Sequence, residues 1–471
     1  MSSIAAMSPI AAMSPPGNSP LSALIARYDG HLPRYTSYPT APNFSPAVGA
    51  DEYAQWLQAT SLEQPLSLYI HVPFCDRLCL YCGCNTGVVR LESSRLAYAK
   101  LLVREIGMVA DALPERGRIA QIHWGGGTPT SLSAQSLVSV MEVIRSRFDL
   151  EPGAEIAIEI DPVNLPQDRL PALRAMGVTR ASLGVQDFNT DVQRAIGRAQ
   201  SLEETRACLS QLRAIGIASL NLDIMYGLPH QTVASVQATA QAVLELAPER
   251  IAVFGYAHVP WMKKHQMLIA EDSLPDALAR FAQQEAIAKV LRSKGGYQTV
   301  GLDHFALLGD ALTTAAEAGA LHRNFQGYTT DSAPALIGIG ASAIGSLQQG
   351  YAQNAARVPD YAVAIGLGRF AVMRGIALSE DDRLRRSVIE QVMCGGEVDL
   401  EASALHYVGR TDALQGSIAA MEALEADGFV ARDGPRWRVT EQGRPFMRQV
   451  AAAFDAYLGQ GVTSRRYARA V

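Results

Sequence analysis

Four cysteines crowd into ten residues, Cys75, Cys79, Cys82 and Cys84, within the run Tyr69-Ile70-His71-Val72-Pro73-Phe74-Cys75-Asp76-Arg77-Leu78-Cys79-Leu80-Tyr81-Cys82-Gly83-Cys84-Asn85. The spacing C-x3-C-x2-C places three thiolates on one tight loop directly after a strand-like segment. Three soft sulfur ligands this close suit a [4Fe–4S] cluster with one iron left open. A four-cysteine ferredoxin-type or zinc site with Cys84 as the fourth ligand is the alternative, as is zinc on three cysteines and His71. Structural zinc sites usually draw on two separated ligand pairs, and the single glycine between Cys82 and Cys84 is an awkward spacing for two ligands of one small site. A second feature is His123-Trp124-Gly125-Gly126-Gly127-Thr128-Pro129. Its glycines would let backbone approach a ligand closely; a tight turn is the plain alternative. Glu159 and Asp161 follow a third strand-like run, where a carboxylate can hold a ligand's hydroxyls. Helix N-capping is the competing role for Asp161.

Strands must carry these residues. LSLYIHV (66–72), QIHW (121–124), EIAIEI (155–160), RASLGV (180–185), SLNLDIMY (219–226), RIAVFGY (250–256) and YQTVGL (297–302) alternate with amphipathic segments at 94–113, 134–148, 235–247 and 277–295. This alternation predicts an α/β fold with a parallel sheet. Small polar clusters end nearly every strand (HVPFC, GGGTP, EIDP, GVQDF, DIMYGLP, YAHVP, GLDHF). Parallel barrels collect functional groups at the C-terminal ends of strands, whereas a doubly wound sheet concentrates its site at one switch point. The expectation is therefore a full or partial (β/α) barrel of parallel strands. Beyond about residue 375 helical segments surround a hairpin, GFVARDG-PRWRVTEQG, in a mostly helical domain that resembles a winged helix. A lid or packing role is expected of it, because residues 376–450 carry no sustained basic stripe. The expected organisation is a disordered Ala/Ser/Pro/Met tail at 1–22, a catalytic barrel with its N-terminal extension at 23–374, and a helical lid domain at 375–471.

The 471 residues are 48% hydrophobic and 18% charged, which excludes disordered and disulfide-dense classes. Lys+Arg 41 against Asp+Glu 46 leaves −5, so no nucleic-acid partner is expected. No apolar run is long enough to span a bilayer, and the start of the chain has neither the basic residues of a secretory signal nor the arginines of a transit peptide. A reducing, cytoplasmic setting follows from this and from the clustered thiols. Cys208 and Cys394 read as small core residues.

The cysteine spacing, with an aromatic residue before the third cysteine, resembles the radical S-adenosylmethionine (SAM) superfamily. More narrowly, PRYTSYPTAPNFS (33–45), HVPFCDRLCLYCGCN (71–85), HWGGGTPT (123–130), GVQDFN (184–189), DIMYGLP (223–229), YAHVP (256–260), DHFA (303–306) and HRNFQGYTT (322–330) resemble the oxygen-independent coproporphyrinogen III oxidases. The resemblance implies oxidative decarboxylation of two propionates of coproporphyrinogen III to the vinyl groups of protoporphyrinogen IX, driven by SAM-derived 5′-deoxyadenosyl radicals. It implies a [4Fe–4S] cluster on Cys75, Cys79 and Cys82, and two SAM molecules. Tyr69, Gly126, Glu159 and Ile344 match positions around the first; Tyr81, Gly127, Thr128, Gln186, Arg198, Asp223 and Ala257 match positions around the second. Cys84 and Tyr69 are candidates for a chemical role. Arg34, His258, His304 and Arg323 are candidate cations for the substrate's propionates. An electron donor is implied, and a monomer is expected. Two other readings remain: a haem-binding chaperone related to the enzyme, and a radical SAM enzyme acting elsewhere. The chaperone has phenylalanine where Cys84 stands and lacks the PRYTSYPT block.

Overall fold

The run LSLYIHV forms strand β1 (Leu66–Val72), buried along nearly its whole length, as expected for a strand covered on both faces. The structure, a computed structural model, describes residues 21–458 and 467–470. After β1 come β2 (Arg118–Gly126), β3 (Asp149–Ile160), β4 (Arg180–Gln186), β5 (Ser219–Tyr226) and β6 (Arg250–Gly255). These six pair in parallel in chain order. The remaining strands of the sheet are β7 (Tyr297–Val300), β8 (His304–Leu307), β9 (Leu336–Ile339), β10 (Ile344–Leu347), β11 (Gly350–Asn354) and β12 (Val372–Ala377). The twelve lie in the order β12-β11-β10-β9-β1-β2-β3-β4-β5-β6-β8-β7. The sheet ends at β12 and β7, so the barrel is the partial form.

Two expectations about strands change. YQTVGL is not a further parallel strand: β7 is an antiparallel edge, joined by a tight turn to β8. The seventh parallel strand is β9, which joins the far side of β1. Its sequence, LIGI, is four residues long among glycines, too short to show a period.

Side chains alternate across the strands with period two. Leu68, Ile70 and Val72 of β1, Ile122 and Trp124 of β2, Ile156, Ile158 and Ile160 of β3, and Leu220, Leu222 and Ile224 of β5 pack into one core. Helices Glu92–Ala112, Ala134–Arg147, Leu202–Ala214, Val233–Leu246 and Ala277–Gly295 cover them. Local signals set the ends of these helices. Ser201 and Glu204 form a capping box, Asp276 accepts from the Ala279 N–H, and Gly296 closes its helix at φ 70°.

A second core gathers Leu384, Val388, Met393, Met421, Phe429, Trp437 and Phe454. The expected hairpin is there as Val430–Asp433 and Arg436–Val439, extended to three strands by Glu397–Asp399. Leu24, Ile25, Tyr35 and Tyr38 belong to this second core, so the N-terminal extension packs with the C-terminal part of the chain. Strand β12 runs across the boundary drawn at 374/375. Of the expected 1–22 tail, residues 1–20 lie outside the described residues, while Leu21 and Ser22 open the helix Leu21–Tyr28.

Candidate active site

The cysteine loop leaves the end of β1 and lies against the glycines that end β2. The Gly127 N–H donates to Val72 O at 2.9 Å and the Thr128 N–H to Phe74 O at 2.7 Å. A Cβ on Gly127 would stand 2.7 Å from Phe74 O, and one on Gly125 would stand 2.7 Å from Glu159 Oε1. Gly126, at φ +110°, lies against the His71 ring, and its N–H donates to Glu159 Oε2 at 3.0 Å. The triple glycine therefore seats the cysteine loop and Glu159 against β2. These N–H groups are engaged inside the protein rather than left open for a ligand.

All six cysteines are free thiols. Cys75 Sγ lies 3.1 Å from Thr86 Oγ1 and 3.6 Å from Thr128 Oγ1. Cys79 Sγ accepts from Arg198 Nη1 at 3.5 Å. The hydrogen bond from Cys84 draws the Cys82 thiol down to about 7, and the same contact together with burial pushes Cys84 well up. Burial outweighs the Thr86 and Thr128 contacts and raises the Cys75 thiol, so Cys82 is the thiol drawn toward thiolate; three soft sulfur ligands on one loop fit an iron–sulfur cluster. The zinc alternatives fit less well. His71 Nε2 faces Asn85 O at 3.0 Å, so it carries the proton; Nδ1 accepts from Tyr69 Oη at 3.0 Å. No ring nitrogen is left for a metal. Among the described residues, no three His, Cys, Asp or Glu side chains are placed to hold a single ion. Cys208 is buried in the main core, and Cys394 is half-buried.

A second segment grips this loop, and the sequence reading did not single it out. Lys263 Nζ donates to Cys84 O at 2.8 Å, His265 Nε2 to Cys82 O at 2.7 Å, and Gln266 Nε2 to Tyr81 O at 2.8 Å. Gln266 is fully buried and also reaches Ala257 O at 3.2 Å. Four consecutive polar residues, Lys263, Lys264, His265 and Gln266, were the available signal. Without the fold nothing connected them to cysteines some 180 positions away.

Beside the loop opens a cavity of about 610 Å³. The polar members of the strands point into it: Ser67, Tyr69 and His71 from β1, Gln121 and His123 from β2, Glu159 from β3, Ser182 from β4, Asn221 and Asp223 from β5. Of the residues expected at the site, Tyr69, Cys84, Gly126, Glu159, Asp223, Ile344, Arg34, His304 and Arg323 line this space. Burial raises Asp223 to about 6, against the opposing pull of Asn221 Nδ2 at 2.7 Å. Burial also keeps the Tyr69 phenol protonated.

The other expected residues stand outside the lining. Gln186, at φ 68°, and Arg198 flank Gly184, which is in register with Asp223. Arg198 is buried, with Nη2 on Asp161 at 3.1 Å and on Gly184 O at 2.7 Å. Asp161 is thus the partner of Arg198 and caps no helix. Tyr81, Gly127, Thr128 and Ala257 lie along the loop side. His258 faces away from the cavity, bonded to Tyr256 Oη at 2.9 Å and paired with Glu271 at 3.5 Å. Opposite the loop, Asp303 holds His304 Nδ1 at 2.7 Å and lies 3.6 Å from Arg323 Nη2. Burial would raise Asp303, but Arg323, His304 and Arg34 together hold it well below the usual carboxylate range. Among the described residues no side chain beyond Ile344 lines the cavity. The N-terminal extension, through Arg34 and Thr36, covers it instead.

A cysteine loop after the first strand of a partial parallel barrel, with carboxylates at neighbouring strand ends, defines a radical SAM protein. A profile described as the Radical SAM superfamily matches residues 69–243, and one described as the HemN C-terminal domain matches 378–446. Among curated proteins, the oxygen-independent coproporphyrinogen III oxidase of Bradyrhizobium diazoefficiens is 49% identical, over 91% of this chain and 95% of the relative. That of Escherichia coli is 40% identical, over 95% and 98%. The solved coproporphyrinogen III oxidase (HemN) of Escherichia coli, described as a radical SAM enzyme, superimposes with TM-score 0.86 at 39% identity, covering 93% of this chain and 99% of that one. The chain belongs to the oxygen-independent coproporphyrinogen III oxidase family.

Proposed function

We propose that this chain decarboxylates two propionates of coproporphyrinogen III to vinyl groups, giving protoporphyrinogen IX for haem biosynthesis. Each propionate loses one hydrogen atom, one electron and carbon dioxide. The observation that carries the reading is a single cavity with the cysteine loop and carboxylates on one wall and guanidinium groups on the opposite side. When bound, the cluster and SAM supply the one-electron chemistry that yields a hydrogen-abstracting radical. Cys75, Cys79 and Cys82 would ligate the cluster.

Tyr69, Gly126, Glu159 and Ile344 would hold one SAM. Tyr81, Gly127, Thr128, Gln186, Arg198, Asp223 and Ala257 would hold the second, with Asp223 accepting hydrogen bonds and Arg198 fixing the loop through Cys79 and Asp161. The Tyr69 hydroxyl donates a hydrogen bond to His71 Nδ1 and stays protonated, which fixes the ring at the cavity wall. Cys84, kept protonated by its bond to Cys82, would face the reacting propionate. Arg34, His304 and Arg323 would receive carboxylates; His258 lies outside the lining and is the weakest member of that set. The buried walls exclude water from the reacting groups. The chain would act in the cytoplasm as a monomer with a separate electron donor; no helix among its described residues is long and apolar enough to cross a membrane.

An anaerobic assay of reconstituted protein with coproporphyrinogen III, SAM and a reductant, read as protoporphyrin fluorescence after oxidation, tests this. Turnover with two SAM cleaved per product is expected. Tight haem binding without turnover would overturn it in favour of the chaperone reading.

A further inference from the structure

We propose that Asp303 is a positioning residue that arranges Arg34, His304 and Arg323 into a carboxylate subsite for the propionates that do not react. The inference rests on the substrate assigned above. Arg323 carries it. Its side chain is 4% exposed, yet Nε and Nη1 have no hydrogen-bond partner. Its Nη2 reaches Arg34 O only at 3.4 Å, and its guanidinium lies 4.3 Å above the Tyr328 ring. A buried cation with donors unmet is costly unless an anion completes it.

Asp303 does not complete it alone. One oxygen is taken by His304 at 2.7 Å, and the other lies 3.6 Å from Arg323, beyond a good hydrogen bond. Behind Arg34 and Arg323 stand two more guanidinium groups, Arg280 and Arg448. Among the described residues Arg448 donates to the backbone carbonyls of Leu32, Pro33, Arg469 and Ala470, which bring no negative charge. The carboxylate of Asp303 is therefore shared by three cationic side chains, Arg323, His304 and Arg34. The other arginines on the cavity wall are spent, Arg180 on Glu155 and Arg250 on Asp310, each at 2.8 Å. The excess positive charge is confined to one end.

That end is the far one. His304 shares a register row with Ala252 and Asp223. Glu159 lies four strands away, about 19 Å measured along the sheet. A carboxylate held at Arg323 thus sits four strands along the curved sheet from Glu159, and another edge of the same macrocycle can reach that wall. Asp303 sets this geometry by accepting from His304 Nδ1, which leaves Nε2 as the free ring nitrogen, and by lying beside Arg323 and Arg34.

The test uses the reconstituted full-length protein under anaerobic conditions. Coproporphyrin III, an unreactive tetra-acid, and its tetramethyl ester are titrated in by porphyrin fluorescence. Wild type should prefer the acid by tenfold or more. Arg323→Gln and Asp303→Asn should bring that ratio near one, with cluster absorbance intact, and Arg323→Lys should restore part of it. Loss of packing alone would weaken acid and ester alike, leaving the ratio where it was; that result overturns the subsite. A wild type with no preference for the acid would overturn the substrate assignment itself. If Asp303→Asn does not fold, the Arg323 pair decides alone.

Discussion

Among the cysteines, position in the loop separates the ligands from their neighbour. Cys75 touches Thr128 Oγ1, Cys79 touches Arg198 Nη1 and Cys82 accepts from Cys84, which remains protonated. Serine at any of the first three should abolish iron–sulfur absorbance, and Cys84→Ser should keep it; an inverted pattern in the anaerobic spectra would refute the ligand set. Asp223 is the sharper probe of the second SAM. Asp223→Asn removes a charge-assisted acceptor, a loss of roughly 1.5–3 kcal/mol. Anaerobic binding stoichiometry should fall from two SAM to one, with cluster absorbance unchanged and decarboxylation poor. Unaltered stoichiometry would make Asp223 part of the structural background. The cysteines were legible in the sequence because ligand spacing is local. Asp303 and Gln266 were not, because each acts through partners brought near only by the curved sheet.

The helix Glu92–Ala112 is pinned to the sheet by one buried carboxylate. Glu105 accepts from the Gly340 N–H at 2.7 Å, from Asn354 Nδ2 at 2.7 Å and from Tyr361 Oη at 2.6 Å. Burial nevertheless raises it to about 7. An acid whose folded pKa is raised binds its proton more tightly folded than unfolded. Its contribution to stability is therefore full below about 4.5 and is lost as pH rises toward about 7, roughly 3 kcal/mol in all. Glu105→Gln should flatten the fall in Tm between about pH 5 and about pH 8; an unchanged slope would assign that fall to other groups. Because Gly340 leads into Ser342 and Ile344 on the cavity wall, the same pin holds one side of the site.

At the scale of the molecule, the segment from Leu21 to Tyr38 packs on the C-terminal core. Leu24 and Ile25 are buried with Phe429 and Phe446, and Arg27 pairs with Asp427 at 2.8 Å. The extension that delivers Arg34 to the cavity is thus anchored on the C-terminal core. Ile25→Ala should cost about 2–5 kcal/mol. It should also weaken coproporphyrin binding while leaving cluster absorbance intact. A denaturant melt with a parallel porphyrin titration checks both; undiminished affinity at reduced stability would separate the anchor from the site.

The sequence alone determined the parts that depend on short-range spacing. The cysteine loop, strands β1 to β6, four of the covering helices and the C-terminal hairpin follow from residue types a few positions apart, where ligand spacing and period-two or period-3.6 patterning act; the helix Leu202–Ala214 did not stand out. Tertiary structure decided the rest. Register and curvature brought β9 beside β1, turned YQTVGL into an edge, and aimed Tyr69, Glu159 and Asp223 into one space. They set Asp303 beside Arg323, His304 and Arg34, placed the Lys263–Gln266 stretch on the cysteine loop and left His258 outside the cavity lining. Such contacts join residues tens to hundreds of positions apart, and their formation depends on how the sheet bends and how its ends are covered, which no local spacing records.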